Sequence, residues 1–153
     1  MDKTKLKGPL YEEVGGINQL HYISIQNNES DPGKITGPLP SFSDLVNIQE
    51  LYLNGNFFTG YIPTNFLANT ITMEKLVTVI LNNNNLTGEL PAELDRLNKI
   101  QIYVQGNKPR NLEEEMWKMK KWNGGLVGTF GFDAIICPQD TFYAKLRRNN
   151  VDE

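Results

Sequence analysis

Apolar residues in this chain recur in a fixed linear frame rather than at the 3.6-residue period of an amphipathic helix. In the frame LxxLxxLxLxxN, the first unit reads Ile17, Leu20, Ile23, Ile25, Asn28 and the second reads Leu45, Ile48, Leu51, Leu53, Asn56. The third reads Met73, Leu76, Val79, Leu81, Asn84. A fourth keeps step through Leu94, Leu97 and Ile100, loses one residue, and resumes with Ile102, Val104 and Asn107. Each unit holds an apolar-x-apolar pair, the period-two signature of a short strand that buries one face. One such strand cannot bury its apolar side alone. Stacked copies form a continuous column, in which each buried Leu or Ile contributes roughly 1.5–3 kcal/mol.

A second block follows three of the asparagines: ITGPLP over 35–40, FTGYIP over 58–63 and LTGELP over 86–91, with a weaker copy, LKGPLY, at 6–11. The combined pattern LxxLxLxxNxLTGxIP, running from about Leu6 to Asn107, resembles the plant-type leucine-rich repeats of receptor-like kinases, receptor-like proteins and polygalacturonase-inhibiting proteins. The resemblance implies an α/β repeat fold: a right-handed leucine-rich-repeat solenoid, here a short horseshoe segment with a concave parallel sheet and a C-terminal capping helix. It also implies that the TGxIP stretch forms a second short strand. Residues 1–16 are then a partial first repeat, 17–107 four repeats, and 108–153 the C-terminal helix and capping tail. Asn28, Asn56, Asn84 and Asn107 are expected to be structural, their amides satisfying backbone groups that each turn would otherwise leave unpaired. The asparagines are 28, 28 and 23 residues apart. The two longer intervals are assigned to insertions on flanking loops, one at ESDPGK before Ile35 and one between Pro63 and Met73.

In this frame the residues alternating with the inward ones face solvent on the concave sheet. They are Tyr22, Ser24 and Gln26 in the first coil, Glu50, Tyr52 and Asn54 in the second, Thr78, Ile80 and Asn82 in the third, and Gln101, Tyr103 and Gln105 in the fourth. Aromatic rings beside carboxamides suit a protein, peptide or glycan ligand, since a ring offers contact area at low entropic cost and an amide both donates and accepts. Tyr and Thr also simply favour strands, and amides can ladder along a sheet for stability alone. Two glycosylation sequons occur, at Asn28 and Asn85. Asn28 is a ladder position with its amide expected inside, which leaves Asn85 as the usable one.

After Asn107 the frame stops, and Asn111-Leu-Glu-Glu-Glu reads as a helix start with Asn111 as N-cap and Glu114 in the capping-box position. Leu112, Met116 and Met119 would share the face that closes the open end of the stack. The tail is similar to the C-terminal flank of some extracellular repeat proteins, but Phe132 stands where a first cysteine is expected and Cys137 where the second is, so that bridge cannot form. The chain also opens in mid-repeat, as a fragment of a longer protein would.

Charge and candidate chemistry narrow the function further. A net charge of -3 provides no basic stripe for nucleic acid. Cys137 is alone, so no cysteine-based metal site is expected and no cofactor either. No apolar run approaches a membrane span, and the first residues hold no signal-peptide core, so a membrane link would run through segments absent from this chain. His21 is the one histidine, with no nucleophile, phosphate-loop or metalloprotease motif beside it. The expectation is a non-catalytic recognition module, part of a cell-surface receptor-like protein and hence extracellular or at the cell surface. The alternatives are a secreted inhibitor of a cell-wall hydrolase and a structural or adhesive repeat with no discrete ligand.

Overall fold

The computed structural model describes residues 6–27, 34–71, 76–97, 100–104 and 106–112. Two parallel sheets wind through the chain in alternation. Strands β2 (Tyr22–Ser24), β4 (Glu50–Tyr52), β6 (Val77–Ile80) and β8 (Ile100–Tyr103) form a four-stranded sheet in that order. Strands β1 (Gly8–Pro9), β3 (Ile35–Pro38), β5 (Phe57–Gly60), β7 (Asn85–Leu90) and β9 (Lys108–Leu112) form a five-stranded sheet on the other side. Every pairing is parallel and joins one coil to the next, so this is the expected parallel-strand solenoid, with the TGxIP blocks as its second sheet.

The register of the first sheet follows the frame. Ile23, Leu51, Val79 and Ile102 are successive partners and all are buried. Leu53, Leu81 and Val104 make a second buried row, and Val77 and Ile100 a third. From the opposite sheet come Ile35, Phe58 and Leu86, and between the sheets Phe42 and Phe66 meet edge to face with ring centroids 6.0 Å apart. The return segments turn tightly. Residues Glu12–Gly16 and Ala92–Arg96 are 3-10 turns, and the only helical turns among the described residues are of this kind.

Four details of the frame are corrected. In the third coil Leu76 is 45% exposed, not inward. The chain has already stacked on the coil before it: the amides of Leu67, Asn69 and Ile71 donate to the carbonyls of Ser41, Ser43 and Val46, and the Thr70 hydroxyl donates to Leu45. Stacking is 25 residues apart at Val46 and Ile71 but 28 apart at Glu50 and Thr78, so the three extra residues enter after Ile71. Phe66 and Leu67, placed within the insertion by the sequence, are fully buried core. Ile17 is 52% exposed rather than inward. Finally, Asn111 and Leu112 belong to β9, which pairs with β7, rather than to a helix start. A backbone ladder to a neighbouring strand overrides the local capping pattern. The helix and tail expected beyond them, with Glu114, Met116, Met119 and Cys137, lie outside the described residues, as do Asn28, Met73 and the first insertion.

The inward and outward assignments predict a sharp contrast within one strand end. Leu53 is fully buried and Asn54 half-buried at the outer surface. Leu53→Ala is expected to cost roughly 3 kcal/mol in urea-unfolding free energy by leaving a cavity, and Asn54→Ala about 0.5 kcal/mol or less. Equal losses would refute the assignment.

Candidate ligand-binding surface

Strand pairing brings the expected outward residues into columns. Tyr22 lies beside Glu50, Glu50 beside Thr78, and Thr78 beside Gln101. In the second column Ser24, Tyr52, Ile80 and Tyr103 are successive partners. Tyr22, Ser24, Gln26 and Glu50 are exposed, while Tyr52, Asn54, Thr78, Ile80, Asn82, Gln101 and Tyr103 are half-buried by their neighbours on the sheet. Gln105 lies outside the described residues. Alternation with the buried Leu and Ile puts all the described members on one face.

Chemistry is unevenly spread over this face. The Tyr22 and Tyr52 rings meet edge to face across the β2–β4 pair, centroids 5.6 Å apart. Between them along the sheet sits Glu50, partner of Tyr22 and two residues before Tyr52 on the same strand. The Glu50 carboxylate, as a nearby acceptor, together with desolvation and its negative charge, raises the Tyr52 phenol above its ordinary value. Further along, the Gln26 amide donates to the Ser24 hydroxyl at 2.8 Å, and Asn54 Oδ1 is buried without a donor partner. His21 has a structural part through its backbone carbonyl, which accepts from the amides of Gln49 and Glu50. Among the described residues no group of three His, Cys, Asp or Glu side chains could hold a metal ion.

The ladder asparagines behave as joints between coils. Asn56 Nδ2 donates to Leu53 in its own coil and to Ile25 in the preceding one, while its Oδ1 accepts from the Ile35 amide. Asn107 repeats this with Val104, Leu81 and the Leu86 amide. In the first coil Asn27, one residue before the expected ladder position, is buried and donates to Asn56 Oδ1.

A second surface was not apparent from the frame. On the outer sheet Phe57 is 55% and Tyr61 67% exposed, and the Lys34 ammonium lies 5.7 Å from the Phe57 ring centroid. Beside Phe57 an open hollow of about 480 Å³ runs along the turn between the sheets, reached by Thr59, Asn83 and Asn85. Asn85, the sequon residue expected to be usable, is exposed at the start of β7. The signal available in the sequence was the position after the ladder asparagine, where an aromatic has no inward partner to meet.

Comparison with known proteins fits this architecture. A family model described as Leucine Rich Repeat matches residues 47–68 and 75–97. Pollen receptor-like kinase 2 of Arabidopsis thaliana is 33% identical over 110 residues, which cover 71% of this chain and 16% of that protein. The chain thus spans about a sixth of the length of this relative, and kinase relatives match it in their repeat portion alone. Among solved structures, the Arabidopsis receptor kinase HAESA, in complex with the peptide hormone IDA and the co-receptor SERK1, has a TM-score of 0.60 at 21% identity, covering 78% of this chain and 19% of that one. A plant ice-binding protein has a TM-score of 0.59 at 27% identity, covering 70% and 32%.

Proposed function

This chain belongs to the leucine-rich-repeat proteins of plant type, and from that premise we propose that it is a non-catalytic peptide-recognition module whose ligand lies across the outward face of the four-stranded sheet. The observation that carries the reading is the arrangement of that face: tyrosines, carboxamides and one carboxylate, in register over four coils, with their backbone already committed to the sheet. Side chains held on paired strands are pre-organised, so an extended peptide meets a surface that loses little entropy on binding. The neighbour solved with a peptide hormone supports the reading, because its fold is the same. The ice-binding neighbour shows that the scaffold alone does not decide the ligand, so the weight falls on the side chains.

The receptor-like relatives support an extracellular setting, in which exposed Asn85 would carry a glycan. The test is selection from a displayed library of random dodecapeptides, with oligogalacturonides as a glycan arm and a polygalacturonase assay beside it. Captured peptides are expected to lose binding at least about tenfold to Tyr52→Ala/Tyr103→Ala, with circular dichroism unchanged. Binding that ignores both tyrosines would overturn the reading. Slowed pectin cleavage without peptide capture would favour the inhibitor alternative. The same protein, secreted from plant cells, should lose one glycan mass on Asn85→Gln.

A further inference from the structure

We propose that Tyr22, Glu50 and Tyr52 form a cation subsite that takes the guanidinium of an arginine side chain in the bound peptide. This rests on the outward-face reading and names the chemistry of one part of it. Glu50 is the one charged residue among the twelve outward positions, and none of the twelve is Lys or Arg. Glu50 is exposed, directly beside Tyr22 on the neighbouring strand and two residues before Tyr52 on its own. A carboxylate accepts at about four lone-pair sites, so it can take a forked donor.

The two rings add a second attraction. Because Tyr22 and Tyr52 meet edge to face at 5.6 Å, one ring presents its face where the other presents its edge, and the exposed Tyr22 ring remains open to the solvent side. A ring face attracts a cation through its quadrupole, and a planar, weakly hydrated guanidinium can stack there while its fork reaches the carboxylate. An ammonium is compact and strongly hydrated, so lysine should gain less.

Three acetylated and amidated tripeptides test this on the full chain: Gly-Arg-Gly, Gly-Lys-Gly and Gly-citrulline-Gly. Titrations are followed by the NMR ring signals of Tyr22 and Tyr52. The arginine peptide is expected to shift both rings with an affinity about fivefold above that of the citrulline peptide, lysine falling between. Glu50→Gln is expected to erase the difference while leaving the fold intact, and Tyr22→Ala to weaken the arginine peptide by about threefold. Equal response to arginine and citrulline, or an arginine preference that survives Glu50→Gln, overturns the subsite. The two readings fail separately. Selected dodecapeptides that depend on Tyr52 and Tyr103 but hold no enriched arginine sink the subsite and leave the module standing. An arginine-selective corner with no tyrosine-dependent dodecapeptide keeps the subsite and sinks the module.

Discussion

Gly55→Ala is expected to remove at least about 4 kcal/mol of folding free energy, whereas Gly60→Ala, at almost the same backbone angle, is expected to cost about 1–2 kcal/mol. Both glycines have positive φ, 75° and 77° respectively, so both substitutions carry the penalty of a left-handed residue with a Cβ. They differ in what that Cβ would meet. At Gly60 nothing lies within 4 Å, while at Gly55 the carbonyl oxygen of Asn27 lies 1.6 Å from the Cβ position. That oxygen is backbone of the preceding coil, next to an amide that already donates to Asn54, so it cannot swing aside without opening the stack. For a single domain with a few kcal/mol to spare, the loss should show as a missing or much earlier cooperative transition in urea. Similar midpoints for the two variants would mean the coils are not packed this closely.

The same row explains how the chain varies its turn residue. Gly106 has φ of 69°, and a Cβ there would meet Asn83 Oδ1 at 2.2 Å. Asn83 itself stands at φ 55°, a conformation that a short polar side chain tolerates better than most. Coil contact at this row is therefore backbone against backbone or against a small amide, and the stack tolerates bulk only on the outer side.

Much of this was legible in the sequence because period-two alternation and a fixed asparagine are local signals that survive in any coil. Leu51 and Leu53 had to point one way if Glu50 and Tyr52 pointed the other, and the pairing of Glu50 with Thr78 and Gln101 follows from that phase. The residue expected to be lost after Ile100 is not lost: Ile100 and Ile102 pair with Val77 and Val79 at the same spacing, so the irregularity lies before the strand. The position of the insertion was not legible either. Leu76 satisfies the spacing counted back from the strand, but counting cannot tell on which side of Thr70 the extra residues enter. What settles it is a hydrogen bond from Thr70 to Leu45, 25 residues away. Asn111 and Leu112 failed differently: a capping box is a local preference worth about 1 kcal/mol, and a strand ladder along β7 outweighs it. At the candidate site, the face was legible and its chemistry was not. That Tyr22 touches Tyr52 is a diagonal contact between coils, visible only once the strands are paired.

The run Asn82 to Asn85 offers the most discriminating test, because four identical residues in a row are given four different surroundings. Asn84 is buried: its Nδ2 donates to Leu81 at 2.9 Å, to Leu53 of the preceding coil at 3.0 Å and to Asn82 at 3.3 Å. Its Oδ1 accepts from the Phe58 amide at 3.1 Å. The carbonyls of Leu53 and Leu81 each keep another donor, from Asn56 and Asn107, if Asn84 is removed. The Phe58 amide, in contrast, loses its buried side-chain acceptor. Losing that partner costs about 1–3 kcal/mol, and the donated bonds about 1 kcal/mol each, so Asn84→Ala should lose roughly 4 kcal/mol. Asn85→Ala, an exposed residue on the next position, should change urea-unfolding free energy by less than about 0.5 kcal/mol. Hydrogen exchange provides the second reading: in the Asn84 variant the Phe58 amide should lose its protection first, ahead of amides in β4 and β6. If Phe58 stays protected while stability falls, the asparagine acts by filling space and not by joining one coil to the next.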